Sequence, residues 1–206
     1  MTGAGTAGGA TTAGAPDGVR VVALAPRHED ALVRFFTALP EGDRTFIEED
    51  VADPAVVRTW AAAGHRWIAV AGGPDAGDAG GTGGAVVGYV AARPLPGWSD
   101  HVAEIRLVVA PDRRGTGLGR LLARHALVQA VEAGRTKLVV EVVAEQGAAL
   151  ALFTALGFTG EALLRDHIRD RRGELRDLMV LAHHVGDTWS GMDTVGLADA
   201  LDADTG

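Results

Sequence analysis

Apolar positions along the chain switch between two periods, and the switching predicts a mixture of strands and helices. "VRVVALA" (Val19–Ala25) predicts a strand. "HEDALVRFFTAL" (His28–Leu39) repeats at Leu32, Phe35, Phe36 and Leu39, the spacing of one helical face. Asp53 before Pro54 is a helix start, and "AVVRTWAAA" continues it. "RWIAVA" and "AVVGYVAARPL" predict the second and third strands, and "VAEIRLVV" (Val102–Val109) the fourth. From about Gly117 to Glu132 the apolar positions Leu118, Leu121, Leu122, Leu127, Val128 and Val131 mark a long helix. "KLVVEVV" (Lys137–Val143) is a fifth strand, and "GAALALFTAL" (Gly147–Leu156) a helix that Gly157 ends. A hairpin closes the chain, Gly160–Arg169 and Glu174–Ala182, turning at "DRRG". The fold class is therefore α+β, with a strand–helix–strand–helix unit at its centre.

Three stretches lack such patterning. Residues 1–18 are Gly, Ala and Thr with little to bury, and residues 186–206 are sparse and acidic; both read as disordered. Gly72–Gly84 reads as a mobile loop between two strands. This leaves one domain, residues 19–185, an ordinary size for a single core.

Charge and composition narrow the chemistry. The formal net charge is −8, but without Asp17 and the five aspartates of 186–206 the body carries only −2. That balance argues against nucleic acid as a partner, which calls for a broad basic face. The chain has no cysteine, which excludes a disulfide scaffold, a thiolate metal site and a cysteine nucleophile. Its seven histidines show no metal-ligand spacing, so no metal site is expected. No apolar run approaches the roughly 20 residues of a membrane span, and no signal peptide is visible. The expectation is a cytoplasmic protein away from membranes.

The segment with the clearest chemical content is "LVVAPDRRGTGLGRLLARHAL": strand, break at Pro111, glycine-rich turn, amphipathic helix. Glycines allow a tight turn and close approach of a ligand to the main chain. The helix N-terminus adds free amides and partial positive charge, a pocket for phosphate or pyrophosphate. Arg113, Arg114 and Arg120 add full charges. A P-loop needs Lys and then Ser or Thr after the last glycine, whereas Arg120 and Leu121 follow here. Glycines at 115, 117 and 119 also fit a dinucleotide fingerprint poorly. A plain connecting turn is the remaining alternative.

Arg114-x-x-Gly117-x-Gly119 after "LVVAP" resembles the acyl-coenzyme A signature of the GNAT N-acyltransferase superfamily. "AEQGAALALFTALGFTGEA" resembles its second signature, a helix ending in Leu156-Gly157-Phe158. The resemblance covers about residues 19–185. It implies a twisted mixed sheet of about seven strands with about four helices, whose fourth and fifth strands splay apart around the cofactor. Pantetheine amides would pair with Leu107, Val108 and Val109. The pyrophosphate would rest on Arg114, Gly115, Thr116, Gly117, Leu118 and Gly119, and on Arg120. Acetyl-CoA would be the acyl donor, and the acceptor a primary amine on a small molecule or a protein lysine. The family often dimerises, so a homodimer is an expectation too.

Acyl transfer to an amine needs a base for the ammonium proton and a fate for the thiolate. Glu104 is the leading candidate base; its stretch resembles that of some GNAT protein-lysine acetyltransferases, where the glutamate has that role. Strand alternation puts Val102, Glu104, Arg106 and Val108 on one face, so pairing of Glu104 with Arg106 is the competing reading. Glu141 on the fifth strand is the second candidate, and His101 could relay a proton. The resemblance breaks at two places. Phe153 stands where many members carry a proton-donating Tyr, and Gln146 where many carry a cofactor-contacting Asn. Those departures leave a second function open, a catalytically weak GNAT fold that binds acyl-CoA as a sensor or interaction module. Tyr89, Trp60, Trp67, Phe35 and Phe36 read as packing residues. The arginine-rich hairpin Arg165–Arg176 reads as solvated surface, or as a guide for an acidic substrate.

Overall fold

The computed structural model describes residues 18–44, 47, 49–51, 53–72, 84–170 and 172–187. The expectations of disorder for residues 1–17 and 188–206 and of mobility for 73–83 lie outside the described residues. The strands are β1 (Val19–Ala23), β2 (Arg66–Ala71), β3 (Ala85–Pro94), β4 (Val102–Val109), β5 (Lys137–Val143), β6 (Thr159–Arg169) and β7 (Leu175–His184). The α-helices are α1 (Glu29–Ala38), α2 (Glu41–Arg44), α3 (Pro54–Ala62), α4 (Leu118–Glu132) and α5 (Gly147–Thr154). That is one helix more than the four expected. The extra one, α2, is a single turn of "EGDR" with no buried residue, so no apolar period announces it.

The seven strands form one sheet in the order β1-β2-β3-β4-β5-β7-β6. All neighbours are antiparallel except β4 and β5. The parallel pair is short: Val102–Ile105 pair with Lys137–Val140, and there the ladder stops. Beyond that point β4 stays with β3 as far as Val109, and β5 stays with β7 as far as Val143. The sheet therefore splits into two halves that diverge, the splay expected from the resemblance.

Each face carries its own core. On one face α4 lays Leu118, Leu121, Leu122, Ala126, Leu127 and Ala130 against Val90, Ala92, Ala103 and Ile105. The spacing of three and four residues makes this stripe continuous along the helix. On the other face α1 and α3 pack Leu32, Phe36, Val57 and Trp60 on Ile68, Tyr89 and Ala91. Asp53 starts α3 as expected, its Oδ1 accepting the Ala55 N–H at 2.8 Å.

One bulge phases these cores. Val86 pairs with Val70 and Gly88 with Ala69, so Val87 is an extra residue in β3. A Cβ on Gly88 would lie 2.7 Å from Leu122 Cδ1, which is how closely α4 approaches the sheet.

Candidate functional site

A cleft of about 1160 Å³ runs through the splay. Its walls are the Gly115–Gly119 turn, the free end of β4, β5, the start of α5, the α1–α2 side and the end of β6. Leu107, Val108 and Val109 line it, past the last β4–β5 ladder pair. Backbone polar groups there that point toward β5 have no strand to bond, so they suit an extended ligand with its own amides.

At one end of the cleft the chain turns through Gly115 (φ +75°) and Gly117 (φ +89°) into α4. Both backbones are left-handed, which a side chain disfavours. The first α4 bond runs from Leu121 N–H to the Gly117 carbonyl at 3.0 Å. The amides of Leu118, Gly119 and Arg120 thus have no carbonyl of the helix to serve. Arg114, Gly115, Gly117, Gly119 and Arg120 line the cleft. Thr116 and Leu118 bring only backbone to the turn. Thr116 Oγ1 donates back to the Arg113 carbonyl at 2.7 Å, and the Leu118 side chain is core. Gly119 differs from Gly117: a Cβ there would make ordinary contacts, the nearest 3.5 Å from Leu152 Cδ2.

Arg114 does not stand free. Its Nη2 pairs with Asp43 Oδ2 of α2 at 2.6 Å. Gln146 caps α5 without a side-chain cap bond and lines the cleft. Phe153 also lines it, but the ring is buried edge-on to Phe158 at 5.2 Å between centroids. It has no proton to offer.

The two candidate carboxylates differ sharply. Glu104 is only 8% exposed. Its Oε2 accepts from Arg93 Nη2 at 2.6 Å, and its Oε1 pairs with Arg106 Nη2 at 2.5 Å. Arg93 also reaches Glu49 Oε1 at 2.7 Å. The Arg93–Glu104 pair is built into the sheet, because the two residues are register partners across β3 and β4. Arg93, Arg106, Glu49 and Glu141 line the cleft, while Glu104 lies behind them. The competing reading of Glu104 as a partner of Arg106 thus describes its surroundings, except that the pair is buried rather than solvated. Glu141 is exposed, with Arg106 Nη2 4.0 Å from its Oε2. It stands where β4 and β5 have just parted, on the face that Glu104 shares.

Other candidates fall elsewhere. His101 is at the opposite end of β4 from the glycine turn, exposed, and is not part of the cleft wall. Tyr89 stacks on Trp60 at 5.2 Å and meets Phe36 edge-on at 5.4 Å. All three are core, as expected, yet they also form one wall of the cleft. Burial pushes the Tyr89 phenol up to about 12 despite nearby Arg66, so it stays protonated. Sequence reasoning missed Asp43, Glu49 and Arg93. Only the β3–β4 register could have flagged Arg93. Among the described residues no cluster of His, Asp or Glu could hold a metal ion.

A family model described as the acetyltransferase (GNAT) family matches residues 36–158. The chain belongs to the GNAT acetyltransferase family. The [ribosomal protein bS18]-alanine N-acetyltransferase of Salmonella typhimurium is 31% identical over 83 residues, 40% of this chain and 55% of that protein. N-acetyltransferase 8F1 of Rattus norvegicus is 31% identical over 141 residues, 65% of this chain and 58% of that protein. The matches thus span little more than half the length of these curated relatives. A Salmonella typhimurium protein solved with its cofactor acetyl-CoA has a TM-score of 0.64 at 16% identity, over 81% of this GNAT chain and 94% of that one. At that identity the likeness is one of fold. Among the described residues no helix is long and apolar enough to cross a membrane.

Proposed function

We propose that the protein is an N-acetyltransferase that moves the acetyl group of acetyl-CoA to a primary amine. The observation that carries this is the splay itself, which joins a left-handed glycine turn at one end to an exposed carboxylate, Glu141, at its mouth. Bound acetyl-CoA supplies a thioester whose carbonyl carbon takes the new C–N bond while the C–S bond breaks and the electron pair leaves on sulfur.

The chain's own residues do the rest. The amides of Leu118–Arg120 and the Arg120 guanidinium hold the pyrophosphate, and Gly115 and Gly117 keep side chains out of its way. The free edge of β4 at Leu107–Val109 aligns the pantetheine arm. Glu141 accepts the proton from the acceptor nitrogen, directly or through one water. Glu104, the first candidate for this step, is a positioning residue: both its oxygens are taken, and it fixes Arg93 and Arg106 beneath the acceptor. Phe153 donates nothing, so the thiolate departs on its own basicity, with an ordinary thiol pKa of about 8.5, or takes a proton from water.

Turnover tests the reading. The protein has no cysteine, so a thiol reagent sees only released coenzyme A. Thiol release with at least one primary amine is expected, and Glu141→Gln should lower kcat by about 10²- to 10⁴-fold without weakening acetyl-CoA. Binding of acetyl-CoA with no turnover of any amine would favour the binding-module role that Phe153 keeps open. A homodimer and a cytoplasmic setting remain part of the proposal.

A further inference from the structure

The charged side chains lining the cleft are almost all neutralised in place. Arg93 lies between Glu49 and Glu104, and Arg106 between Glu104 and Glu141. Arg114 pairs with Asp43, and Glu145 with Arg176 at 3.6 Å. Away from the glycine turn, two basic residues of the wall have no carboxylate partner among the described residues, His167 and Arg169 near the end of β6. Arg169 Nη1 donates to the Gly173 carbonyl at 2.9 Å, which anchors one corner of the guanidinium. The acid next to it in sequence, Asp170, is turned away, with its Oδ2 on Arg176 at 3.2 Å.

The backbone is distorted at this place. Leu164 pairs with Leu178 and Ile168 with Arg176, so three residues, Arg165, Asp166 and His167, stand opposite Asp177 alone. Asp166 is left-handed at φ +53°, and its N–H donates to Asp177 Oδ1 at 2.9 Å. Bulges of this kind re-aim side chains beside functional sites. Here the bulge leads directly into His167, Ile168 and Arg169, all of which line the cleft.

We infer that the acceptor is an amine that also carries an anionic group, and that Arg169, with His167 beside it, binds that group. The inference rests on the acetyl-transfer reading and names its acceptor class. Glu141 meets the ammonium end, and the guanidinium fork matches a carboxylate at the other. A polyamine meets the same wall with its second ammonium facing two basic side chains, which disfavours it.

The test is a series of ω-amino acids from glycine to aminohexanoate, each beside its own amide, with spermidine as the polycation. Acceptor KM, kcat and acetyl-CoA KM are measured by thiol release, and binding of the best acid is measured calorimetrically with coenzyme A present. At least one acid should have a lower KM than its amide by about ten- to a hundredfold, the worth of one charge-assisted hydrogen bond. Arg169→Ala should remove that difference and the calorimetric signal while leaving the acetyl-CoA KM unchanged. Arg169→Lys should restore part of it. Acids and amides handled alike, a preference for spermidine, an Arg169→Ala variant that keeps the difference, or acetyl-CoA binding without turnover of any acid would each overturn the acceptor class. Loss of acetyl-CoA binding itself would instead overturn the acetyl-transfer reading beneath it.

Discussion

Glu104 and Glu141 sit on one face of one sheet, yet their neighbours assign them different work. Glu104→Gln leaves two guanidiniums without their shared counter-charge in a buried place. It should lower stability by about 3 kcal/mol, as breaking a buried pair does, measured by denaturant titration. Glu141→Gln should leave stability almost unchanged and act on kcat. The reverse pattern, a stable Glu104→Gln with abolished turnover, would return the base to Glu104. The glycines of the turn separate in the same way. Gly117→Ala forces a side chain into φ +89° and should cost about 1–2 kcal/mol, whereas Gly119→Ala, with only ordinary contacts, should keep both stability and acetyl-CoA affinity. Tyr89 is the chain's one tyrosine, so a spectrophotometric titration reads it alone. Its midpoint should fall at about 12 rather than 10. The folded-state value is raised, so its contribution to stability is complete below pH 10 and is lost as pH rises toward 12. A midpoint near 10 in folded protein would contradict the packing described for the Trp60–Tyr89 stack.

At the scale of elements, the closeness of α4 to β3 makes Gly88 a sharp probe. Gly88→Ala puts a Cβ 2.7 Å from Leu122 Cδ1, and Leu122 is fully buried, so its side chain must shift within the core. The variant should lose about 1–3 kcal/mol, read from the midpoint of urea unfolding. An unchanged midpoint would mean that α4 rides higher on the sheet. Elements such as α4 and β5 were legible in the sequence because their apolar periods are long and faced by real cores. The glycine turn was legible because its residues do local backbone work. The single turn α2 buries nothing, so it left no period to read, and with it Asp43 was missed. The bulges at Val87 and at Arg165–His167 are properties of pairing, which one strand alone does not record. For the same reason alternation could place Glu104 and Glu141 on one face but could not say that Arg93 covers the first and leaves the second open.

For the whole molecule, three histidines tie folding to pH. Burial pushes His125 down, and pushes His28 and His183 down with help from Arg27 and His184, against a raising bond from Gly157 at His183. Depressed values mean that the unfolded chain takes up protons first. Their stabilisation is therefore present above about pH 6.5 and is lost as pH falls below it. Tm should fall on acidification through that range. His125→Leu should flatten the fall, since His125 Nε2 is buried with no hydrogen-bond partner among the described residues. A Tm independent of pH there would contradict the burial of all three. Above these details stands one claim, that the divergence of β4 from β5 exists to hold acetyl-CoA. Calorimetric titration with acetyl-CoA, wild type beside Gly117→Glu, tests it most directly, with near-ultraviolet circular dichroism to confirm that the variant is folded. Micromolar binding by the wild type is expected, and none by a folded variant whose carboxylate sits where the pyrophosphate rests. No binding by the wild type, or equal binding by both, would contradict it.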